Sequence, residues 1–347
     1  MPRYGATLLS LDPSPAISFL GKTSAFAQSF NPTWVAPSAA TEGASGLLVR
    51  SQNCTPAAPG KCIACSGAGR FASVIAFAKL LSNDNASGIA PPSFTKLDAA
   101  AIVFGPHDDT DDLGTEDPRL HLDPLTGVYY LFYTCYNSGR TLPRRRIPRV
   151  TLCLATTRNP TSSSRWTRHG PLGFGENSKS AALAFGYERP GAERGEHLLY
   201  WGSGAIRLSR SRNLSHWADR GQPFLTNTSF GNQYVEAGPP PMRLSTGDFV
   251  LFHNSWSAGF PAPPGYEPAW VVLAGDDLSR IVARAQAPLW GPQRAPYMTG
   301  AKPALCNVPN VAFVEAAHPT DQPDVFRLYF GGADAVVGSA VVRMTLS

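Results

Sequence analysis

Three short acidic motifs are the places in this chain where residue types and order could do chemistry. They are Gly114-Thr115-Glu116-Asp117-Pro118-Arg119, Tyr234-Val235-Glu236-Ala237-Gly238-Pro239-Pro240-Pro241 and Phe313-Val314-Glu315-Ala316. Two separated carboxylates are the minimum for an acid that protonates a leaving oxygen and a base that takes a proton from water. Asn177-Ser178-Lys179 and Phe252-His253-Asn254 add a cation, an imidazole and two amides, and Tyr329-Phe330-Gly331-Gly332-Ala333-Asp334 adds a fifth carboxylate. Each fragment also has an ordinary reading. Asp before Pro commonly shapes a turn, a lone Glu is usually exposed or ion-paired, and His253 could be a satisfied strand-end histidine. Only a fold that brings the fragments together makes them a site.

The elements available to do so are short strands. Segments such as Gly46 to Arg50, Ser73 to Lys79, Val128 to Tyr136, Val150 to Thr156, His197 to Trp201, Phe249 to His253, Trp270 to Ala274 and Phe326 to Gly331 are rich in β-branched and aromatic residues. Gly, Pro, Asn and Asp punctuate them, and no long 3.6-residue apolar stripe competes, so the chain reads as all-β. Gly and Pro number 32 each in 347 residues, which leaves little room for long helices. A longer period lies over the strands. A strand, a polar turn and a Trp run from Cys153 through Asn159 to Trp166 and again from Arg207 through Asn213 to Trp217, and Val271 to Asp277 repeats the first part. The equivalent Asn159, Asn213 and Asp277 are 54 and then 64 residues apart. A supersecondary unit of that length that cannot bury its own faces predicts radial stacking of four-stranded blades, about five over this length. An immunoglobulin-like array would need separable units with linkers, and no linker is visible. Residues 1–347 are thus expected to form one five-bladed β-propeller, with a Cys/Gly/Pro-rich loop at about 51–70 and a central funnel where the chemistry belongs.

Composition sets the outer bounds. Hydrophobic residues make up 43% and charged residues 16%, which excludes a disordered tail and a coiled coil. The net charge of +5 is scattered except at Arg144, Arg145, Arg146 and Arg149, which read as a solvated, Pro-flanked turn rather than a nucleic-acid patch. No stretch reaches the roughly 18 apolar residues of a membrane span, and no continuous apolar signal region is read after Met1-Pro2-Arg3. Among six cysteines, Cys54, Cys62 and Cys65 cluster in the loop, where a disulfide or free thiols fit better than zinc. Cys135 and Cys153 fall in successive strand-like segments. Sequons at Asn53, Asn85, Asn213 and Asn227, with the cysteines, lean toward a secretory setting.

In their order and spacing, the motifs from Phe30-Asn31-Pro32 to Gly331-Gly332-Ala333-Asp334 resemble glycoside hydrolase family 130, five-bladed propellers acting on β-mannosides. The resemblance implies Asp117 as the acid, its proton relayed through a sugar hydroxyl. Glu236 and Glu315 look like those of the hydrolase branch, implying one as base and the other orienting water, with inversion and carboxylates about 6.5–9.5 Å apart. Glu116, Arg119, Lys179, His253, Asn254 and Asp334 are expected at the sugar, and Tyr136, Trp201 and Trp256 are candidate ring platforms. Phe252-His253-Asn254 departs from the hydrolase pattern and keeps phosphorolysis as the alternative, with inorganic phosphate as co-substrate. A non-catalytic carbohydrate-binding propeller is the second alternative. The expected partner is a manno-oligosaccharide or mannosylated glycan, with no nucleic acid, membrane, metal or organic cofactor. Linkage and oligomeric state are left open.

Overall fold

A computed structural model describes residues 4–19, 21–53, 73–82, 90–139, 149–186, 196–217, 221–258, 263–301 and 306–346. The cluster Cys54, Cys62 and Cys65, the sequon at Asn85 and the run Arg144 to Arg146 lie outside the described residues.

Five antiparallel sheets follow one another along the chain. Blade 1 runs Gln28–Val35, Gly46–Gln52, Val74–Ser82 and Ser93–Phe94, with Ile102–Phe104 also paired to its third strand. Blade 2 is Gly114–Asp123, Val128–Asn137, Arg149–Thr157 and Thr167–Pro171. Blade 3 is Ala182–Ala184, His197–Trp201, Ile206–Ser211 and Gln222–Leu225. Blade 4 is Tyr234–Ala237, Phe249–Ser257, Gly265–Ala274 and Asp277–Arg284, with Met242–Arg243 beside its second strand. Blade 5 is Ala312–Pro319, Val325–Gly332 and Val336–Leu346, and its outer strand is the N-terminal Tyr4–Leu11, which pairs from Tyr4 with Leu346 to Leu11 with Ala340. The ring is thereby closed by hydrogen bonds between the two ends of the chain, which removes an open edge. The five-bladed propeller expected from the strand period is the fold observed, and the repeated Asn159, Asn213 and Asp277 all mark the corner between third and fourth strands.

Each blade is apolar on both faces, which is why its strands read as nearly continuous hydrophobic runs. In the second strand of blade 4, Val250 and Phe252 pack with Phe326 and Leu328 of blade 5, while Phe249 and Leu251 pack with Leu198 and Tyr200 of blade 3. The period-2 alternation of a strand thus feeds two interfaces at once. Leu48 and Leu131 fill the interface between blades 1 and 2, Leu154 and Leu199 that between blades 2 and 3, and Leu47 and Tyr329 that between blades 5 and 1. A disulfide joins Cys135 and Cys153 on neighbouring strands of blade 2.

The inner strands line the axis, and in blades 1, 2 and 5 their pairing is irregular. Register shifts fall between Phe30 and Pro32, between Glu116 and Arg119, and between Val314 and Ala316. Asn31 and Asp117, each followed by proline, sit at φ +50° and +48°, and Ser180, just ahead of the blade 3 inner strand, sits at +54°. Bulges of this kind re-aim side chains. Here the side chains of Asn31 and Asp117 enter the axial opening.

Candidate active site

Around these side chains a cavity of about 470 Å³ opens on the axis, lined by residues from all five blades and their connections. Asn31, Arg50, Glu116, Asp117, Asn177, Lys179, Ser203, Tyr234, Tyr266, Phe313 and Asp334 form most of its wall. The bulge at Asp117 delivers its carboxylate to the centre of a hydrogen-bonded group. Asn31 Nδ2 donates to Asp117 Oδ1 at 2.6 Å, and Arg50 Nη1 to the same oxygen at 2.9 Å. Arg50 Nη2 reaches Glu116 Oε1 at 2.6 Å, and Ser73 Oγ donates to that oxygen at 3.2 Å. One guanidinium therefore bridges adjacent carboxylates, the geometry a planar fork favours.

Burial alone would raise the carboxyl of Asp117, but Arg50, then Lys179, Arg119 and the Asn31 amide outweigh it and hold it down at about 2. Glu116 goes the other way. Its burial, with Asp117 alongside, raises it despite Arg50. Asp334 occupies the tight turn between the second and third strands of blade 5, where Ala333 and Asp334 have φ of +46° and +49°. Burial pushes its carboxyl up to about 7, with Arg50 and Lys179 opposing and Asp117 and Glu236 adding to the rise.

The two expected glutamates lie behind the cavity wall. Glu236 is fully buried and accepts from Ser180 Oγ at 2.6 Å, Tyr266 Oη at 2.7 Å and Ser203 Oγ at 3.4 Å, with Lys179 Nζ at 3.4 Å. It anchors three residues that line the cavity without lining it itself. Burial works against the charge of Lys179, but Glu236 and Asp117 prevail and its ammonium is raised. Burial and Glu236 together raise the Tyr266 phenol, so it stays a donor. Glu315 is also fully buried, 2.8 Å from Arg119 Nη2, and it borders a second cavity of about 270 Å³ with Thr33, Leu120, His121 and Ala316. Along each of these inner strands the first cavity takes the earlier residues and the second the later ones. The two cavities thus lie toward opposite ends of these inner strands, and the buried Arg119–Glu315 pair borders the second.

Several expected sugar contacts stand elsewhere. Arg119 is wholly buried and bonded to protein, not open to a ligand. His253 is buried on the second strand of blade 4, outside the cavity lining, and burial depresses its imidazole to about 4. It is therefore neutral and is no phosphate-facing cation. Asn254 exchanges two hydrogen bonds with the Val314 backbone, at 2.9 and 2.7 Å, and so ties blade 4 to the strand carrying Glu315. Trp201 is core, stacked on Phe174 with its indole nitrogen bonded to Ser209. Trp256 meets Tyr266 edge to face but does not line the cavity, and half-buried Tyr136 borders Glu116 from outside the lining. The aromatic wall is instead Tyr234, Tyr266 and Phe313. These rings, with Asn31, Arg50, Thr134, Val150 and Ser203, are cavity residues to which the sequence assigned no role, although Asn31, Tyr234 and Phe313 fall inside its motifs. Asn31-Pro32 did carry a signal, because it repeats Asp117-Pro118 one blade earlier.

The arrangement offers one carboxylate held ionised, one that titrates near neutrality, and donors from Arg50, Lys179, Asn177, Ser203 and two phenols. That suits a neutral polyhydroxylated ligand and an oxyanion beside it. The chain is 27% identical over 234 residues to a 1,2-beta-oligomannan phosphorylase of Thermoanaerobacter sp. (strain X514), covering 67% of this chain and 69% of the relative. Its fold is similar to that of a glycosyl hydrolase from Bacteroides ovatus, at 22% identity and a TM-score of 0.64 over 90% of this chain and 83% of that one. It is likewise similar to a beta-1,2-mannobiose phosphorylase from Listeria innocua in complex with beta-1,2-mannobiose, at 16% identity and a TM-score of 0.67 over 90% and 89% of the two chains. The glycoside hydrolase 130 family model, described as beta-1,4-mannooligosaccharide phosphorylase, matches residues 83–346, and the chain belongs to that family.

Proposed function

We propose that this protein cleaves β-mannosidic bonds of manno-oligosaccharides with inversion, in the cavity around Asp117, and that inorganic phosphate takes the mannosyl group. The observation that carries the choice of acceptor is the withdrawal of Glu236 and Glu315 from the cavity. Hydrolysis needs a carboxylate facing the attacking water; the two glutamates expected to supply it are fully buried against protein partners, and of the carboxylates that do line the cavity Glu116 and Asp117 are held by Arg50, which leaves Asp334. The lining is rich in donors instead. The names of the matching family model and of the Thermoanaerobacter relative point the same way.

In this reading a phosphate oxygen attacks the anomeric carbon from the face opposite the leaving sugar. The bond from that carbon to the bridging oxygen breaks, and a β-linkage yields α-mannose 1-phosphate. Hydrogen phosphate brings the proton that the leaving oxygen needs, so atoms and charge balance without an outside acid. Asp117, ionised in the free protein, passes a proton on rather than storing one, through a sugar hydroxyl if it does not reach the bridging oxygen. Lys179, Arg50 and the phenols orient hydroxyls and phosphate, and the Phe313, Tyr234 and Tyr266 rings offer apolar faces to the sugar.

One observation favours hydrolysis as the second reading. The lining cations Arg50 and Lys179 already face carboxylates, which leaves less charge for phosphate. Product analysis on β-1,2- and β-1,4-mannobiose with and without phosphate separates the two. Mannose 1-phosphate formed only with phosphate supports phosphorolysis, free mannose at a phosphate-independent rate supports hydrolysis, and no product from either sugar refutes both.

A further inference from the structure

We propose that Glu315 and Arg119 form a positioning pair that holds the Asp117 backbone in its left-handed conformation, and that Glu315 acts on the reaction only through Arg119. The inference rests on Asp117 being the proton-handling group of the cavity. Its ground is the hydrogen bonding of Arg119. Nη1 donates to the carbonyl oxygens of Asp117 and Pro118, at 3.3 Å each, and Nη2 donates to the carbonyl of Ala237 at 3.5 Å while lying 2.8 Å from Glu315 Oε1. The guanidinium thus grips both peptide units around Pro118, the units that set where the Asp117 side chain leaves the strand. It ties them to the inner strands of blades 4 and 5.

Asp117 needs such a grip. A residue before proline is pushed toward extended backbone, yet Asp117 sits at φ +48° inside a register shift. Glu315 sits in the matching shift on blade 5, between Val314 and Ala316, and Asn254 bonds both backbone groups of Val314. Both members of the pair are fully buried, and Glu315 belongs to the lining of the second cavity, not the one that holds Asp117. From there it contacts no substrate bound at Asp117. Its influence has to travel through the arginine.

The test is mannobiose cleavage by Arg119→Met, Glu315→Gln and the double variant, with crystal structures of each. Arg119→Met is expected to lower kcat about 100-fold, with KM moving less than about threefold. Glu315→Gln keeps an acceptor for Arg119 and should stay within about tenfold of wild type. The double variant should be no slower than Arg119→Met alone, because residues acting as one unit are non-additive. Residue 117 should remain left-handed in Glu315→Gln and leave that region in Arg119→Met. A loss of about 100-fold in Glu315→Gln, restored by azide or formate in Glu315→Ala, would overturn the proposal. So would losses that multiply in the double variant, or an unmoved residue 117 in Arg119→Met. If Arg119→Met does not fold, Arg119→Lys keeps the charge without the second arm and carries the same expectations. If the wild type turns over no mannoside, the backbone readout alone decides the clamp while the functional reading fails separately.

Discussion

Asn31 and Asp117, on the inner strands of neighbouring blades, face each other as near-copies: each has positive φ, each precedes proline, and the amide of one donates to the carboxylate of the other at 2.6 Å. Two blades have thus used one local distortion to supply both a cavity-lining carboxylate and its holder. Replacing Asn31 separates the side chain's part from the backbone's. Asn31→Gly tolerates φ +50° and loses only the hydrogen bond to a charged group, about 1.5–3 kcal/mol. Asn31→Ala adds left-handed strain of about 1 kcal/mol. Denaturant unfolding should rank wild type, Gly and Ala in that order. Because the Asp117 carboxyl is held below its ordinary value, the stability it contributes is present above about pH 4 and lost as pH falls toward 2. The gap between wild type and Asn31→Gly should shrink over that range.

Gly331 is required by the same pair. A Cβ there would lie 2.6 Å from Asn31 Oδ1, closer than real contacts allow. Gly331→Ala should push Asn31 away from Asp117 and lower kcat about tenfold or more, by the logic that small misplacements at a reacting group are expensive. Steady-state kinetics check this, and an unchanged kcat counts against the coupling.

Asp334 supplies a pH dependence. Its carboxyl stands near 7 in the folded protein, so it ionises there and adds negative charge beside Arg50 and Lys179. The KM for phosphate should rise as pH increases through 7 more steeply than phosphate's own ionisation explains, and Asp334→Asn should remove the excess. The sign for stability is the reverse of that at Asp117. The folded state resists ionising Asp334, so wild type loses stability between about pH 4 and 7 while Asp334→Asn does not.

Glu236 is better viewed as the anchor of Lys179, Ser203 and Tyr266 than as a base. Glu236→Gln can still accept from Ser180 and Tyr266. Glu236→Ala strands Lys179 and leaves a void, and breaking a buried pair typically costs about 3–5 kcal/mol. Thermal unfolding should find Glu236→Ala far less stable than Glu236→Gln. Azide should not restore activity to either variant.

The fold was legible because strand lengths, turn residues and the recurring Asn159, Asn213 and Asp277 corner all depend on local sequence. Closure by Tyr4–Leu11 was not, since pairing between chain ends leaves no short-range signal. At the site, Asp117, Glu116, Lys179 and Asp334 were found by motif and do line the cavity. Glu236 and Glu315 were found as well, but motif order says nothing of depth, and their carboxylates turned out to be one layer behind. Arg50 was invisible because it sits on a second strand with no motif around it and reaches the axis only by the length of its side chain. His253 and Trp201 show the opposite failure. Residue types suited to chemistry lie buried away from the cavity, Trp201 in the packing between blades 2 and 3 and His253 on a second strand.

The central claim, that Asp117 handles the proton in phosphorolysis of a β-mannoside, is tested most directly by phosphorus NMR. Wild type and Asp117→Asn are each incubated with inorganic phosphate and β-1,2-mannobiose. A sugar-phosphate signal should grow with wild type and at least about 100-fold more slowly with the variant. No such signal from wild type, or equal rates from both proteins, would contradict the account.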